Sequence, residues 1–291
     1  MKQPPGTVSK ILWHFTGGPA WNSTERRQAA KPKPAEEAYQ ALLSILRSKE
    51  LRLGGYREVV KVHVPKLRRY SKKEHKWETL KNTIVEMESS PVCCMSDIPV
   101  AHLSYHAKRY GKLAIGFHRD AAVRHGFNPV FYTLYNSNVP RSVRNVLVKL
   151  RKVEHNSIES IADDIENHIQ YLEDLEDDQS RDVERDLALS VVDLNDEVSA
   201  IEDAVSSARK GFGEFLAFVK TFDKKEFSSI YCEREWRSTE QFSFKLDDLA
   251  MIVLPKSGRR TSYFNDFVKG RHALKLPRSV PVVPWEDLIE H

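Results

Sequence analysis

The sequence of 291 residues has few cysteines and no long apolar run, and these two shortages exclude whole classes of protein. Its three cysteines, two of them adjacent at Cys93 and Cys94, form neither a disulfide framework nor a zinc-ligand spacing. No run of about 18 apolar residues is present, so we expect no membrane-spanning helix. The stretch from Met1 to Gly6 lacks the apolar core of a signal peptide. We therefore expect a cytoplasmic protein with no membrane partner.

Charge is distributed unevenly along the chain. The formal net charge is only +4, yet the acidic segment, Glu154 to Asp203, contains 18 Asp and Glu against two Arg. The whole chain has 45 Lys and Arg and 41 Asp and Glu. The residues outside the acidic segment therefore include 43 Lys and Arg but only 23 Asp and Glu. A basic body of this kind suits a phosphate-bearing partner, either a dinucleotide or a nucleic acid. It equally suits docking of the chain's own acidic segment.

Hydrophobic periodicity predicts a mixed α+β domain. Apolar residues at helical spacing predict a helix that begins near Glu36 and runs through Leu46. Short apolar runs predict strands at 10–15, 59–64, 92–98, 112–117, 129–133, 230–239 and 251–255, and a last extended edge at 280–285. Shorter helices are predicted at 100–109, 119–124, 212–222 and 262–268. Residues 56–90 are basic and otherwise weakly patterned.

The acidic segment differs in kind from the rest of the chain. Its second half carries an apolar seam with heptad-like spacing, made by Val183, Leu187, Val191, Leu194, Val198, Ile201 and Val205. A similar stripe runs upstream from Ile158 to Leu175. We predict an inserted antiparallel α-helical hairpin, which could also serve as a dimer interface, and one long bent helix is the alternative. The predicted divisions are therefore a core at 1–150, an acidic helical insertion at 151–222, and the rest of the core at 223–291.

The stretch from Glu233 to Arg237 carries an alternating row of charges. If it is a strand, Glu233, Glu235 and Arg237 lie on one face about 7 Å apart. Two carboxylates at that spacing repel each other, and the arginine offsets part of the repulsion. A site that uses charge would explain such a row, and a solvated strand face is the alternative interpretation.

Two other stretches place polar groups in or at the end of apolar strands. They are Trp13-His14-Phe15-Thr16 and Cys94-Met95-Ser96-Asp97. Buried polar groups must find partners, so these stretches and the Glu-x-Glu row suggest one shared cleft.

The order of these motifs resembles the abortive-infection AbiGi family, which is similar to the wider ADP-ribosyltransferase superfamily. The resemblance rests on His14, the helix ending in Leu42–Leu51, the Cys-Met-Ser-Asp strand, Tyr110-Gly111-Lys112 and Glu-x-Glu-Trp-Arg. It runs discontinuously over residues 10–135 and 228–268 and does not cover the acidic segment. It implies an ADP-ribosyltransferase-like split mixed β-sheet core that grips NAD in a cleft.

The resemblance also implies roles for individual residues in a phage-defence toxin. Such an enzyme would cleave the nicotinamide glycosidic bond of NAD and transfer ADP-ribose to a protein or nucleic-acid acceptor. Glu235 would be the catalytic carboxylate, with Glu233 as the other candidate, because a fixed carboxylate stabilises the developing oxocarbenium ion. The remaining candidates are for NAD binding: His14 toward a ribose hydroxyl, Thr16 of the same motif, Ser96 or the nearby Tyr105 or Tyr110 in the middle position, and Arg237 or Arg47 for the pyrophosphate.

Two other functions fit parts of the sequence. A non-catalytic nucleic-acid-binding regulator, the antitoxin of an abortive-infection pair with a cognate partner protein, would use the basic body and need no NAD. No convincing helix-turn-helix supports it. A metal-dependent nuclease could use Glu233, Glu235 and Asp97, but the further signatures of such enzymes are missing and we predict no metal site.

Overall fold

A computed structural model describes residues 9–150, 152, 180–226, 233–256 and 262–289. Two compact units divide the chain. The larger unit comprises the residues up to Lys61, Val85–Tyr135 and those from Phe215 onward. The second unit comprises Val62–Ile84 and Asn136–Glu214. The candidate site predicted from the sequence falls within the larger unit.

A seven-stranded mixed sheet forms the centre of the larger unit, in the order β15-β14-β8-β1-β7-β12-β9. Neighbouring strands are antiparallel except β14 and β15, which are parallel. The strands of this sheet are β1 Ile11–Phe15, β7 Cys93–Ser96, β8 Ala114–His118, β9 Asn128–Pro129, β12 Glu235–Ser238, β14 Leu249–Leu254 and β15 Val282–Pro284. The predicted α+β class with a mixed sheet is confirmed.

Four two-stranded pairs accompany the main sheet. They join β2 Trp21–Asn22 with β3 Arg27–Gln28, β4 Glu50–Leu51 with β13 Phe242–Ser243, β5 Arg57–Ser71 with β6 Lys76–Pro91, and β10 Phe131–Leu134 with β11 Val219–Phe222. The helices are α1 Ala35–Ser48, α2 Leu103–Tyr110, α3 Arg119–Arg124, α4 138–150, α5 Ser180–Ala217, α6 Tyr263–Gly270 and α7 Trp285–Ile289. Among these described helices, none is long and apolar enough to cross a membrane.

Apolar cores lie on both faces of the main sheet. Along β1, Leu12 packs into one core while Trp13 and Phe15 pack into the other, as the alternation of side chains in a strand requires. The first core is closed by the apolar stripe of α1, with Ala38, Leu42 and Leu46 buried. The second core contains residues from α2 and α7. Because both faces are covered, polar residues on the central strands are held inside the protein.

Two regions differ from the sequence prediction. Residues 57–91, predicted to hold one short strand, form the two long strands of a β-hairpin. In the outer part of the hairpin, apolar and polar residues do not alternate, because side chains on both faces of the strands are largely exposed there. The predicted helix over 212–222 is wrong in its last part, because α5 ends at Ala217 and Val219–Phe222 pairs in parallel with β10. Pairing with β10 overrides the local helical pattern there.

The predicted helical hairpin lies largely outside the described residues. Its first helix and its turn, over 153–179, fall in that part. The second helix is present as α5, a single helix of 38 residues whose backbone spans the whole predicted seam. A dimer through the hairpin therefore stays a prediction.

Candidate functional site

Three neighbouring strands bring the predicted site residues to one cavity. In the sheet Ser96 of β7 pairs with Glu235 of β12 on one side and with Trp13 of β1 on the other. A cavity of about 360 Å³ opens beside them. Its lining includes six of the predicted site residues: His14, Thr16, Ser96, Tyr110, Glu233 and Glu235. The predicted shared cleft is therefore present in the structure.

A buried ion network lies under the cavity and is centred on Arg237. Its side chain is 0% exposed, and its Nε and Nη2 atoms donate to the two oxygens of Glu235, each at 2.9 Å. Nη2 also donates to Glu58 of β5, and Nη1 donates to the carbonyl oxygen of Ala217 at 2.6 Å. The interpretation of this row as a solvated strand face is wrong, since Glu233, Glu235 and Arg237 are all buried.

Lys220 of β11 joins the two glutamates of the row. Its Nζ donates to Glu233 at 2.6 Å and to Glu235 at 2.9 Å. The other oxygen of Glu233 accepts from Arg109 at 3.2 Å and from the Tyr110 hydroxyl at 3.3 Å. Three cations thus face the three carboxylates of Glu58, Glu233 and Glu235. The network is balanced in charge, and every carboxylate oxygen of Glu233 and Glu235 accepts at least one hydrogen bond.

These contacts keep Glu235 and Lys220 ionised. Burial alone would raise the pKa of Glu235, but the charges of Arg237 and Lys220 and their hydrogen bonds outweigh it, so the pKa lies well below its usual range. Burial would lower the pKa of Lys220, and the charges of Glu235 and Glu233 raise it well above its ordinary value. A carboxylate held ionised in this way is a weak base at neutral pH.

His14 and Thr16 each present a polar atom for which the described residues provide no hydrogen-bond partner. His14 Nδ1 lies 2.9 Å from the carbonyl oxygen of Cys94, so it carries the proton and Nε2 is left as an acceptor. Burial lowers the pKa of His14, which keeps the ring neutral. The Thr16 hydroxyl is buried and has no hydrogen-bond partner among the described residues. Both atoms belong to residues that line the cavity.

Ser96 and Tyr110 are connected through a histidine that the sequence analysis missed. His106 of α2 lies with its Nε2 3.1 Å from the Ser96 hydroxyl, and its ring stacks on Tyr110 with centroids 4.3 Å apart. Burial lowers the pKa of His106 to about 4. Ser96 and Tyr110 both line the cavity, whereas Tyr105, the third alternative for the middle position, is exposed and does not belong to the described lining.

The backbone at Arg234 turns Glu233 out of the strand. Arg234 has a φ of 40°, in the left-handed region that non-glycine residues rarely adopt. Its guanidinium donates to Asp97 at 3.0 Å and its carbonyl oxygen accepts from the backbone N–H of Asp97 at 2.9 Å. Because of this turn, strand β12 starts at Glu235 and not at residue 230, and residues 227–232 lie outside the described part. Asp97 is thereby tied to Arg234.

Arg237 and Arg47 do not reach the cavity as predicted. Arg237 is enclosed by its three partners below the cavity floor. Arg47 is exposed on α1 and does not belong to the described lining. The cations that do line the cavity are Lys33, Arg52 and Lys220.

Several residues of the site were missed, although the sequence carries a signal for some of them. Lys220 stands alone in the apolar run Leu216–Phe222, which indicates a buried charge that needs partners. Glu58 alternates with Val60, Val62 and Val64 and therefore shares their buried face. His106 lies four residues before Tyr110 on one face of α2. In the described ranges, no group of three or more His, Cys, Asp or Glu could hold a metal ion.

A second candidate site lies in the other unit, on the β5–β6 hairpin. Its outer part, residues 62–84, is called the basic ribbon below. It has seven Lys and Arg, which are Lys66, Arg68, Arg69, Lys72, Lys73, Lys76 and Lys81, against Glu74 and Glu78. All seven basic side chains are exposed. Two of them are engaged by acids, Arg69 by Glu78 at 3.6 Å and Lys76 by Glu74 at 2.6 Å.

Comparison with known proteins assigns the chain to a family. A family model described as "Putative abortive phage resistance protein AbiGi, antitoxin" matches residues 57–276, well over half of the chain. The chain belongs to the AbiGi family. One relative, described as an abortive phage resistance protein AbiGi of Lactococcus lactis subsp. cremoris, is 34% identical over 71 residues. That alignment covers 23% of this chain and 28% of the relative. No solved structure matches the chain.

The family description corrects the predicted function. The predicted AbiGi resemblance and the link to phage resistance are confirmed. The prediction of an NAD-dependent ADP-ribosyltransferase toxin is wrong, because the family is described as an antitoxin. In the structure Glu233 and Glu235 both accept a hydrogen bond from Lys220, and Glu235 also accepts two from Arg237, so both carboxylates belong to the buried network.

Proposed function

We propose that this chain is the antitoxin of an abortive-infection pair and that it binds nucleic acid through the basic ribbon. The observation that carries the proposal is the exposed positive charge of residues 62–84, where two of the seven basic side chains are paired with acids. Lys66, Lys72, Lys73 and Lys81 have no acidic partner among the described residues. Polyanions bind such surfaces by releasing counterions, which makes the affinity strongly dependent on salt.

The shape of the ribbon suits the same partner. A two-stranded antiparallel hairpin is narrow enough to follow a nucleic-acid groove or backbone. Its exposed side chains carry positive charge on both strands, so a phosphate chain could be contacted along the whole length of residues 66–81. The proposal thus corresponds to the nucleic-acid-binding regulator described in the sequence analysis, with a β-hairpin in place of a helix-turn-helix.

The buried network supports a non-catalytic role. Ion pairs of this kind hold neighbouring elements in one arrangement, here β5, β11 and β12 through Glu58, Lys220, Glu235 and Arg237. Binding of NAD in the cavity above it stays a prediction, as do the roles assigned to His14 and Thr16. An antitoxin also implies a partner protein that it neutralises, and we expect a growth-arresting protein encoded with it.

Depletion in a host that carries the complete abortive-infection locus tests the proposal. Loss of this chain should arrest growth, and loss of the chain together with its partner gene should restore growth. Re-expression of the chain should also restore it, and Thr16→Val, which removes a predicted NAD-binding hydroxyl that has no partner among the described residues, should do so as well as the wild type if NAD is not needed. Growth that is unaffected by depletion in the presence of the partner gene would contradict the antitoxin role.

A further inference from the structure

The outer part of the basic ribbon exposes two large aromatic side chains next to its cations. Trp77 of β6 is 62% exposed and Tyr70 of β5 is 44% exposed. Their rings contact each other edge to face, with centroids 5.7 Å apart. An exposed tryptophan in a run of charged residues contributes little to any core, so its presence calls for another explanation.

A cation holds the indole in place. The guanidinium carbon of Arg68 lies 5.2 Å from the centroid of the Trp77 ring. Arg68 and Tyr70 are two residues apart on β5 and so point to the same side, where both meet Trp77. Arg69 points to the other side, where it meets Glu78. One side of the ribbon therefore combines cations with an ordered aromatic platform and, in its described contacts, no acid.

This combination distinguishes between forms of nucleic acid. In a duplex the bases are stacked on each other, and a protein reads their edges by hydrogen bonds in a groove. An indole offers a π surface and only one hydrogen-bond donor, so it gains little from base edges. Unpaired bases have free faces, and they stack on aromatic side chains in single-strand-binding proteins.

We infer that the basic ribbon binds single-stranded nucleic acid, with an unpaired base stacked on Trp77 and the neighbouring phosphates bound by the lysines. This inference rests on the proposed function and specifies its ligand class. Lys66 and Lys81 are available for the phosphates, since both are exposed and unpaired among the described residues. Arg68 and Tyr70 contact the indole and favour the orientation seen in the structure.

Fluorescence anisotropy with labelled oligonucleotides of one length and sequence tests the inference. The probes are single-stranded RNA, single-stranded DNA and the corresponding DNA duplex. We expect tighter binding of a single strand than of the duplex, and the two single-stranded probes establish whether RNA or DNA is preferred. Trp77→Ala should weaken single-strand binding about 5- to 100-fold, and Trp77→Phe should weaken it less because a ring remains.

Two controls separate stacking from other effects. Neither Trp77 variant changes a charge, so the dependence of affinity on salt should keep its wild-type slope. Phe131→Ala removes another exposed aromatic ring, 54% exposed on β10, and should leave the affinity unchanged. Because Trp77 is the most exposed large hydrophobic residue in the part of the chain that the structure describes, its substitution should not lower the melting temperature.

The possible outcomes are distinct. Quenching of tryptophan fluorescence by single strands in the wild type, lost in Trp77→Phe, supports the inference directly. Equal or tighter binding of the duplex, together with no effect of Trp77→Ala, overturns the inference and leaves nucleic-acid binding by the antitoxin intact. Absence of binding to all three probes overturns both.

Discussion

Arg237 is the residue on which the buried network depends. It is fully buried and supplies hydrogen bonds to Glu58 and Glu235, which are themselves 8% exposed. Its guanidinium matches a carboxylate with two parallel bonds, which a lysine cannot reproduce. The row of charges that suggested catalysis is thus better explained by the ion pairs that connect β5 with β12.

Removal of this arginine should strongly destabilise the protein. Arg237→Met leaves two buried carboxylates without their partner, which we expect to lower the free energy of unfolding by about 3–5 kcal/mol in urea melts. The matched control is Arg27→Ala, because Arg27 pairs with Glu25 at the surface with 72% of its side chain exposed. That change should leave the free energy of unfolding nearly unchanged, because an exposed ion pair contributes little to stability. Similar costs for both variants would contradict the role of the network.

His106 makes the stability of the protein depend on pH. Its folded pKa is lowered from 6.5 to about 4 by burial, so the unfolded chain takes up the proton first as the pH falls. The neutral His106 ring makes its full contribution to the free energy of unfolding above pH 6.5, and this contribution is lost as the pH falls toward 4. At pH 5 this loss amounts to about 2 kcal/mol relative to pH 8.

Urea melts at pH 8 and pH 5 measure this effect. In His106→Gln the decrease in unfolding free energy between these pH values should shrink by about 2 kcal/mol. His272→Gln, which changes an exposed histidine, should keep the decrease of the wild type. If the His106 variant keeps it too, the ring is not held neutral by burial.

At the scale of elements, patterns that depend on one buried face were predictable. The stripe of α1 and the short apolar runs of β1, β7, β8 and β14 were found in the sequence because each meets a core. The outer part of the hairpin was not found, since neither of its sides is covered there and no alternation results. Strand β11 was hidden because only its partner β10, distant in sequence, distinguishes it from a continuation of α5.

In the candidate site, too, local patterns were predictable and contacts between distant residues were not. His14, Ser96 and Glu235 could be found because each is a polar residue within an apolar strand. Their shared cavity follows from strand order, which no local pattern contains. His106 lies on a short helix, and its contacts with Phe15 and Ser96 on neighbouring strands are visible only in three dimensions.

The end of α1 provides a test of local backbone energetics. Lys49 has a φ of 58°, and its N–H donates to the carbonyl oxygen of Ile45 at 2.8 Å, the geometry of a left-handed helix cap. Glycine adopts this conformation without the cost of a Cβ atom, so Lys49→Gly should raise the unfolding free energy by about 0.5–1 kcal/mol. Arg47→Gly, two residues earlier within the helix, should lower it by about 1 kcal/mol. A decrease in thermal stability for both variants would show that the cap is not strained.

For the whole molecule, the separation of charge is the dominant feature. The negative charge of the acidic segment nearly cancels the positive charge of the rest of the chain. The net charge of +4 is therefore much smaller than the charge of either part. Long-range attraction of a polyanion depends on local charge and not on the total. The exposed cations of the basic ribbon are therefore expected to dominate association with nucleic acid at low salt.

The salt dependence of this association is the decisive measurement of nucleic-acid binding by the basic ribbon. The ribbon variant replaces Lys66, Lys72, Lys73 and Lys81 with Gln, and the matched control replaces Lys31, Lys112, Lys224 and Lys225, which are exposed lysines of the larger unit. Both variants lose four positive charges. The logarithm of affinity for a single-stranded oligonucleotide is then measured against the logarithm of salt concentration. If the basic ribbon binds nucleic acid, the slope should become less steep by about 3 in the ribbon variant and should stay nearly unchanged in the control. Equal slopes for the two variants would contradict nucleic-acid binding by the basic ribbon.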